Sequence, residues 1–189
     1  TVKTADHAHS IQIDESNRFV FVPHTLAPNV VAQFRFDEKT GRLSSNPAEP
    51  RLQFPELQGP RHFTFHPAMD ITYFVNENGS SVTACNFDTE QGTLTPFQTI
   101  STLPPGFEGE NACAEIRITP TGEYVYASNR GHDSIAAFSV DGSTGALELI
   151  SHTPTEASPR AFALDPDGAY LHYTPNETIA GLEFDYIPE

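Results

Sequence analysis

The chain of 189 residues contains no tryptophan, one methionine, two cysteines and only ten basic residues, of which two are lysine. It also lacks any run of 18 apolar residues, so we expect no membrane-spanning helix. Asp and Glu total 25, which gives a net charge of −15. Such an acidic surface repels nucleic acid and anionic membranes, so the composition argues against both as partners.

The scarce cysteines, Cys85 and Cys113, are far apart and fit no metal-ligand spacing. We interpret both as small buried side chains in a reducing compartment. Because the polar N-terminus TVKTADHAHS is unlike a secretory signal, we expect a cytoplasmic protein. The chain also has no G-x-S-x-G elbow, no P-loop and no dinucleotide-binding glycine motif. A serine nucleophile and a bound nucleotide cofactor therefore have no support.

One pattern recurs four times along the chain. Each copy has an apolar strand, a polar turn, a second strand rich in Tyr, Phe and Val, and a third strand that ends in Asp. The third strands are VAQFRFD at 31–37, TACNFD at 83–88, IAAFSVD at 135–141 and IAGLEFD at 179–185. In the first three copies a glycine follows four residues after the Asp, at Gly41, Gly92 and Gly145. Repeats of about 40–50 residues with several strands each are typical of β-propeller blades.

The repeats predict an all-β fold, a β-propeller of about four four-stranded blades in a single domain spanning 1–189. We place the blades at approximately 7–58, 59–108, 109–156 and 157–189. The first strands align through Ile13, Phe65, Ile118 and Leu164, and the second strands lie at 19–24, 71–77, 124–130 and 170–176. Segments 44–58 and 101–111 are expected to be loops between blades. Since the last copy lacks an outer strand, we expect a partial ring, completed by N-terminal blades or by a second copy in a homodimer.

Repeat positions that differ between the copies predict a functional site. In a blade, the start of the innermost strand and the end of the second strand lie on the same face, near the central channel. The strand starts carry His9, Arg61, Ala114 and Arg160, followed by Ser10, His62, Glu115 and Ala161. The second strands end in His24, Asn76, Asn129 and Pro175, followed by Thr25, Glu77, Arg130 and Asn176. We therefore predict that polar side chains of both signs converge at one channel mouth.

The residue types indicate the chemistry of this site. Arginine offers a planar fork for carboxylate or phosphate, and histidine moves protons near neutral pH. A glutamate beside an arginine stays ionised and can orient the arginine or act as a base. The set fits proton transfer or acyl transfer on a small anionic molecule. The structural alternative is that Glu77 and Arg130 only form an ion pair between adjacent blades. His7 and His9 could share a side of a strand, but without a third ligand we predict no metal site.

Several segments resemble the lactonase family of seven-bladed β-propellers: HAHS at 7–10, GPRHFTFHP at 59–67, VNE at 75–77, residues 109–141, and SPRAFALDPDGAYL at 158–171. That family includes propeller-type 6-phosphogluconolactonases and 3-carboxy-cis,cis-muconate lactonizing enzymes. The resemblance covers the last four blades and implies a propeller without a cofactor or an obligatory metal. It also implies a catalytic set of one His, two Arg and one Glu, which fall on His9, Arg61, Glu77 and Arg130.

The resemblance and the site residues together favour hydrolysis of a small anionic sugar lactone such as 6-phosphogluconolactone. Arg61 and Arg130 would hold the phosphate or carboxylate and polarise the lactone carbonyl, while His9 or Glu77 would activate water. The expected substrate-binding residues are His62, Glu115, Asn76, Asn129 and Arg160. Two alternatives stay open: cycloisomerisation of a carboxymuconate by the same residues, and a truncated propeller or binding module without catalysis.

Overall fold

The computed structural model describes residues 2–55, 57–174 and 184–186, and in these ranges the regular secondary structure is all β. The strands form four antiparallel sheets that follow one another in chain order. Within the same ranges, no helix is long and apolar enough to cross a membrane.

Blade 1 has an outer position that is shared by two short strands. Its strands are β1 (Gln12–Ile13), β2 (Phe19–Pro23), β3 (Val30–Asp37), β4 (Arg42–Ser45) and β5 (Arg51–Gln53). β4 pairs with the end of β3 and β5 pairs with its beginning. The expectation of a loop throughout 44–58 is therefore wrong at 44–45, where β4 ends, and at 51–53. Leu52 is buried in the core between two exposed neighbours, and this alternation is typical of a strand.

The other blades follow the predicted order of strands. Blade 2 contains β6 (Pro60–Phe65), β7 (Ile71–Asn76), β8 (Ser81–Asp88) and β9 (Thr93–Ser101). Blade 3 contains β10 (Ala112–Ile118), β11 (Tyr124–Arg130), β12 (Ser134–Val140) and β13 (Leu147–Pro154). In blade 4, the described strands are β14 (Ala161–Leu164), β15 (Tyr170–Thr174) and β16 (Phe184–Tyr186). The predicted positions 175 and 176, and most of the third strand at 179–185, lie outside the described residues.

Alternation along each strand builds the contacts between blades. On β7, Ile71, Tyr73 and Val75 pack into a core cluster with blade 3, whereas Phe74 packs into a cluster with blade 1. Phe74 stacks on Phe63, with 4.9 Å between the ring centroids. Because successive side chains point to opposite faces of a sheet, one strand can serve two interfaces.

The clusters join the blades in sequence order. A third cluster links blade 3 to blade 4, and no hydrophobic cluster of the described residues links blade 4 to blade 1. The described blades are therefore arranged side by side as an arc of a propeller. The innermost strands lie along its inner side, where their starting ends meet at one face.

Candidate active site

One face of the arc carries a pocket of about 310 Å³ where the innermost strands begin. Each innermost strand starts beside the end of its antiparallel neighbour, as the register of β10 with β11 shows. The lining residues are His9, Arg61, His62, Glu115, Arg160, Ala161 and Thr174. Five of the nine predicted site residues therefore share one pocket.

Two irregularities in strand pairing direct these side chains. The register of β6 against β7 shifts between Pro60 and His62, with Arg61 as the extra residue. A second shift, between Cys113 and Ile116, affects β10 against β11 and includes the position of Glu115. Bulges of this kind re-aim side chains and are common next to active sites. Consecutive residues Arg61 and His62 can both line the pocket because the regular alternation of the strand is interrupted between them.

Arg61 is the buried cation of the pocket, with only 2% of its surface exposed. Its Nε lies 3.5 Å from Glu77 Oε2, and its Nη1 donates a hydrogen bond to the carbonyl oxygen of Ala114. Burial lowers the pKa of Arg61 to about 10; Glu77 opposes this effect, and the charge of Arg130 adds to it. The guanidinium is therefore cationic at neutral pH and fixed at the wall of the pocket.

Glu77 bridges the two predicted catalytic arginines. Its Oε1 accepts a hydrogen bond from Arg130 Nη2 at 2.5 Å, while its Oε2 faces Arg61. Arg130 also donates to the carbonyl oxygens of Ala112 and Cys113, at 3.1 and 3.0 Å. Neither Glu77 nor Arg130 lines the pocket. The Glu77–Arg130 pair joins blades 2 and 3, as the structural alternative proposes. Glu77 also contacts Arg61 from outside the pocket lining.

A chain of hydrogen bonds runs through three pocket residues. His62 Nδ1 lies 2.9 Å from Glu115 Oε1, and His62 Nε2 lies 3.1 Å from His9 Nδ1. Arg61 Nη1 is 3.4 Å from the same Nε2 atom. Blades 1, 2 and 3 thus each contribute one member of the chain.

The surroundings shift the pKa of both end residues of this hydrogen-bonded chain, His9 and Glu115. Burial of part of the ring, together with the positive charge of Arg61 and the proximity of His62, lowers the pKa of His9 to about 4. Burial alone raises the pKa of Glu115, but the hydrogen bond and the electrostatic effect of the His62 ring, together with the charge of Arg117, outweigh it and leave the pKa below its ordinary value. At neutral pH, His9 is therefore neutral and Glu115 is ionised.

Arg160 is the exposed cation of the pocket and comes from the segment just before β14. Its charge is felt by Arg61, whose pKa it lowers. Two positive groups, one buried and one exposed, therefore act on the same 310 Å³ space. Such an arrangement favours a ligand with negative charge.

The two predicted asparagines lie within the blades, away from the pocket lining. Asn76 Nδ2 donates to the hydroxyls of Ser81 and Thr83, at 3.0 and 2.8 Å. Asn129 Nδ2 donates to the carbonyl oxygen of Thr102, and its Oδ1 accepts from the hydroxyl of the same residue. Both side chains are fully buried. These are contacts that stabilise the ends of the second strands, and a role in substrate binding stays a prediction.

Three features of the site were missed by the sequence reasoning. Thr174 lines the pocket from the end of β15, and Arg117 Nη2 lies 3.5 Å from Glu115 Oε2. The bulge at Arg61 is the third. The repeat alignment carried a signal for Thr174 only, because it stands directly before the second-strand ends that were compared. Among the described residues, no group of three or more His, Cys, Asp and Glu side chains is placed to hold a metal ion.

Comparison with known proteins identifies the class to which this propeller arc and its cationic pocket belong. The family described as "Lactonase, 7-bladed beta-propeller" matches residues 2–178. The chain belongs to this lactonase family, which confirms both the all-β propeller fold and the resemblance.

Relatives with assigned names point the same way. The 6-phosphogluconolactonase of Erwinia tasmaniensis is 35% identical over 90% of this chain and 50% of its own length. That of Pectobacterium carotovorum is 36% identical over 86% of this chain and 48% of its own. The structure of the periplasmic gluconolactonase of Pseudomonas aeruginosa superposes with a TM-score of 0.81 at 26% identity, covering 88% of this chain and 46% of that one. The chain thus spans about half the length of the relatives it matches.

Proposed function

We propose that this chain carries the active site of a lactonase that hydrolyses a small anionic sugar lactone, with 6-phosphogluconolactone as the first candidate. The lactonase family and the names of the relatives support this class of reaction. The observation that carries the proposal is the pocket itself, because it combines a neutral histidine, His9, with a buried cation, Arg61, and an exposed one, Arg160.

Hydrolysis of a lactone needs three functions that these residues can supply. Arg160 attracts the phosphate, and Arg61 stabilises the negative charge that develops on the carbonyl oxygen. His9 accepts a proton from water while the water oxygen bonds to the carbonyl carbon. The tetrahedral intermediate then collapses, the bond to the ring oxygen breaks, and that oxygen takes the proton back from His9. The product is the open-chain hydroxy acid, which ionises in solution.

Glu77 and Arg130 have positioning roles in this proposal. Both oxygens of Glu77 face guanidinium groups, so His9 is the better proton acceptor of the two residues that the sequence left open. Arg130 acts through Glu77, which in turn holds Arg61 in place. Direct contact between Arg130 and substrate is not part of the proposal.

The alternatives gain no support. Cycloisomerisation of a carboxymuconate would use the same side chains, but the matched relatives named above are lactonases and no observation favours it. A binding module without catalysis does not account for a neutral histidine that shares a pocket with two arginines. Location in the cytoplasm stays a proposal, supported by the two buried free cysteines.

The proposed activity is tested by adding the purified chain to freshly generated 6-phosphogluconolactone and measuring acid release above the spontaneous rate. We expect turnover with this lactone and none with carboxymuconate. A His9→Gln variant, which keeps a polar side chain but removes the base, provides the matched control. Hydrolysis no faster than the spontaneous rate in the folded chain would reject the proposal.

Arg160→Gln is expected to raise KM for the phosphorylated lactone by about 10-fold to 100-fold, because a charge-assisted hydrogen bond contributes about 1.5–3 kcal/mol. It should change kcat little, because the phosphate does not react. KM for unphosphorylated gluconolactone should change less than about threefold. Arg51→Gln is the control, because Arg51 is exposed on β5 and lies outside the pocket lining. An equal effect on both lactones would show that Arg160 does not bind the phosphate.

A further inference from the structure

We propose that Glu115 and His62 are positioning residues that hold His9 in the tautomer with its proton on Nδ1, so that Nε2 is free to accept the proton of the attacking water. This inference rests on the proposed lactone hydrolysis, and it adds two residues from two further blades to the machinery of that reaction.

The tautomer of His62 follows from the character of its two neighbours. An ionised carboxylate only accepts hydrogen bonds, so His62 Nδ1, at 2.9 Å from Glu115 Oε1, must carry a proton. A guanidinium only donates, so His62 Nε2, at 3.4 Å from Arg61 Nη1, must present its lone pair. Glu115 and Arg61 cannot exchange these roles. His62 is therefore a neutral imidazole with its proton on Nδ1.

The tautomer of His9 follows in turn. His62 Nε2 is an acceptor, so His9 Nδ1, at 3.1 Å from it, must be the donor. A neutral imidazole carries a single proton, which leaves His9 Nε2 unprotonated. A histidine in water prefers the opposite tautomer, with its proton on Nε2. The hydrogen-bonded chain therefore reverses the ordinary preference of His9, and does so in the direction that a general base requires.

Glu115 is well held for this role. The backbone N–H of Ile116 donates to its Oε1 at 3.1 Å, and Arg117 Nη2 lies 3.5 Å from its Oε2. Its own backbone N–H donates to the hydroxyl of Ser128 at 3.0 Å. A buried carboxylate with these partners stays ionised and fixed in direction.

The charges around His9 keep it neutral, while the hydrogen bonds through His62 and Glu115 orient it. The groups that act on it are Arg61, His62 and Glu77, and Arg160 and Glu115 share the pocket lining with it. Burial and the charge of Arg61 lower the pKa of His9 to about 4, against which Glu77 acts. Around neutral pH the ring therefore carries one proton, and its position is the quantity to measure.

The direct test is the tautomer of His9, read from the imidazole ¹⁵N shifts of the uniformly labelled chain at pH 7. The His9 signals are assigned by their loss in His9→Gln. We expect His9 Nδ1 to have the shift of a protonated nitrogen and Nε2 that of an unprotonated one. A wild-type spectrum with the proton on His9 Nε2 would overturn the inference. Because this readout needs no substrate, the expected tautomer without lactone turnover would support the tautomer assignment and reject the substrate.

Substitution tests the hydrogen-bonded chain of Glu115, His62 and His9. Glu115→Gln is expected to move His9 towards the Nε2–H tautomer and to lower kcat by about 10-fold or more, with KM within about threefold, as is typical of residues that orient a catalytic histidine. Arg51→Gln is the control, because Arg51 is exposed on β5 outside the pocket lining, so its His9 spectrum and its kcat should stay near those of the wild type. An unchanged His9 tautomer in Glu115→Gln would contradict the proposal. If Glu115→Gln does not fold, the wild-type spectrum alone decides.

Discussion

Replacement of Arg61 by alanine is expected to lower kcat/KM for 6-phosphogluconolactone by about 10²-fold to 10³-fold, the usual loss when one donor to a developing oxyanion is removed. Arg61 is buried and fixed by Glu77 and by the carbonyl oxygen of Ala114, so water entering the space left behind cannot reproduce an oriented positive charge. The measurement is a steady-state assay, accompanied by far-UV circular dichroism to show that the fold is kept. Activity within about threefold of the wild type in a folded variant would remove Arg61 from the mechanism.

The same substitution should also change the pH dependence of the reaction. A general base works only when unprotonated, so the rate falls as the pH drops through the pKa of His9, which is about 4 in the wild type. Burial is the largest cause of this low value and the charge of Arg61 is the next. Removing Arg61 should therefore raise the pKa of His9 and move the acidic limb to higher pH. Arg61→Lys keeps the charge but loses the planar fork, so its limb should stay close to that of the wild type while its rate falls.

Gly92→Ala is the second large effect, and it is expected to destabilise the chain by about 2–5 kcal/mol. Gly92 has a φ of +71°, a region that costs an L-residue about 1–2 kcal/mol. A Cβ at this position would also overlap the ring of Phe19, which is buried in the cluster between blades 1 and 2. Forcing a core side chain to move adds about 1–3 kcal/mol. Urea unfolding should show this as a lower midpoint at an unchanged slope.

Gly41→Ala is the matched control for this prediction. Gly41 occupies the same turn in blade 1 and has a similar φ, +65°, but a Cβ there meets no described atom within 4 Å. Only the backbone cost of about 1–2 kcal/mol should remain. Equal losses at the two glycines would show that contact between the blades does not explain the repeat of this residue.

The sequence predicted the inner part of each blade closely, because strong local patterns determine it. The residues used to align the first strands, Ile13, Phe65, Ile118 and Leu164, are the last residues of the four innermost strands. The second strands begin where they were predicted to begin. In each repeat, a turn with Pro, Gly or Asn separates two apolar strands, and such signals depend little on the rest of the fold.

The sequence predicted only in part which of the candidate site residues lie together. Repeat equivalence places His9, Arg61 and Arg160 at one face, since the starts of equivalent strands meet there. The same reasoning could not separate Asn76, which points into its own blade, from His62, which lines the pocket. That distinction depends on the bulge at Arg61, which has no signature in one sequence because it arises from the way β6 and β7 pair.

The glycine turns make the contact between neighbouring blades asymmetric, because a glycine of one blade contacts an apolar side chain of the blade before it. Gly92 of blade 2 lies against Phe19 of blade 1, and Gly145 of blade 3 lies against Ile71 of blade 2. Blades 1 and 2 therefore each pack the first residue of the second strand against a glycine turn of the next blade. Gly41 is the equivalent glycine of blade 1, and it lines a separate cavity of about 430 Å³. We propose that a further blade, from a longer polypeptide or from a second copy, would pack here through a large apolar residue at the start of its second strand. All blades would then have the same orientation along the ring, and a blade packed in the reverse orientation would leave the cavity at Gly41 unfilled.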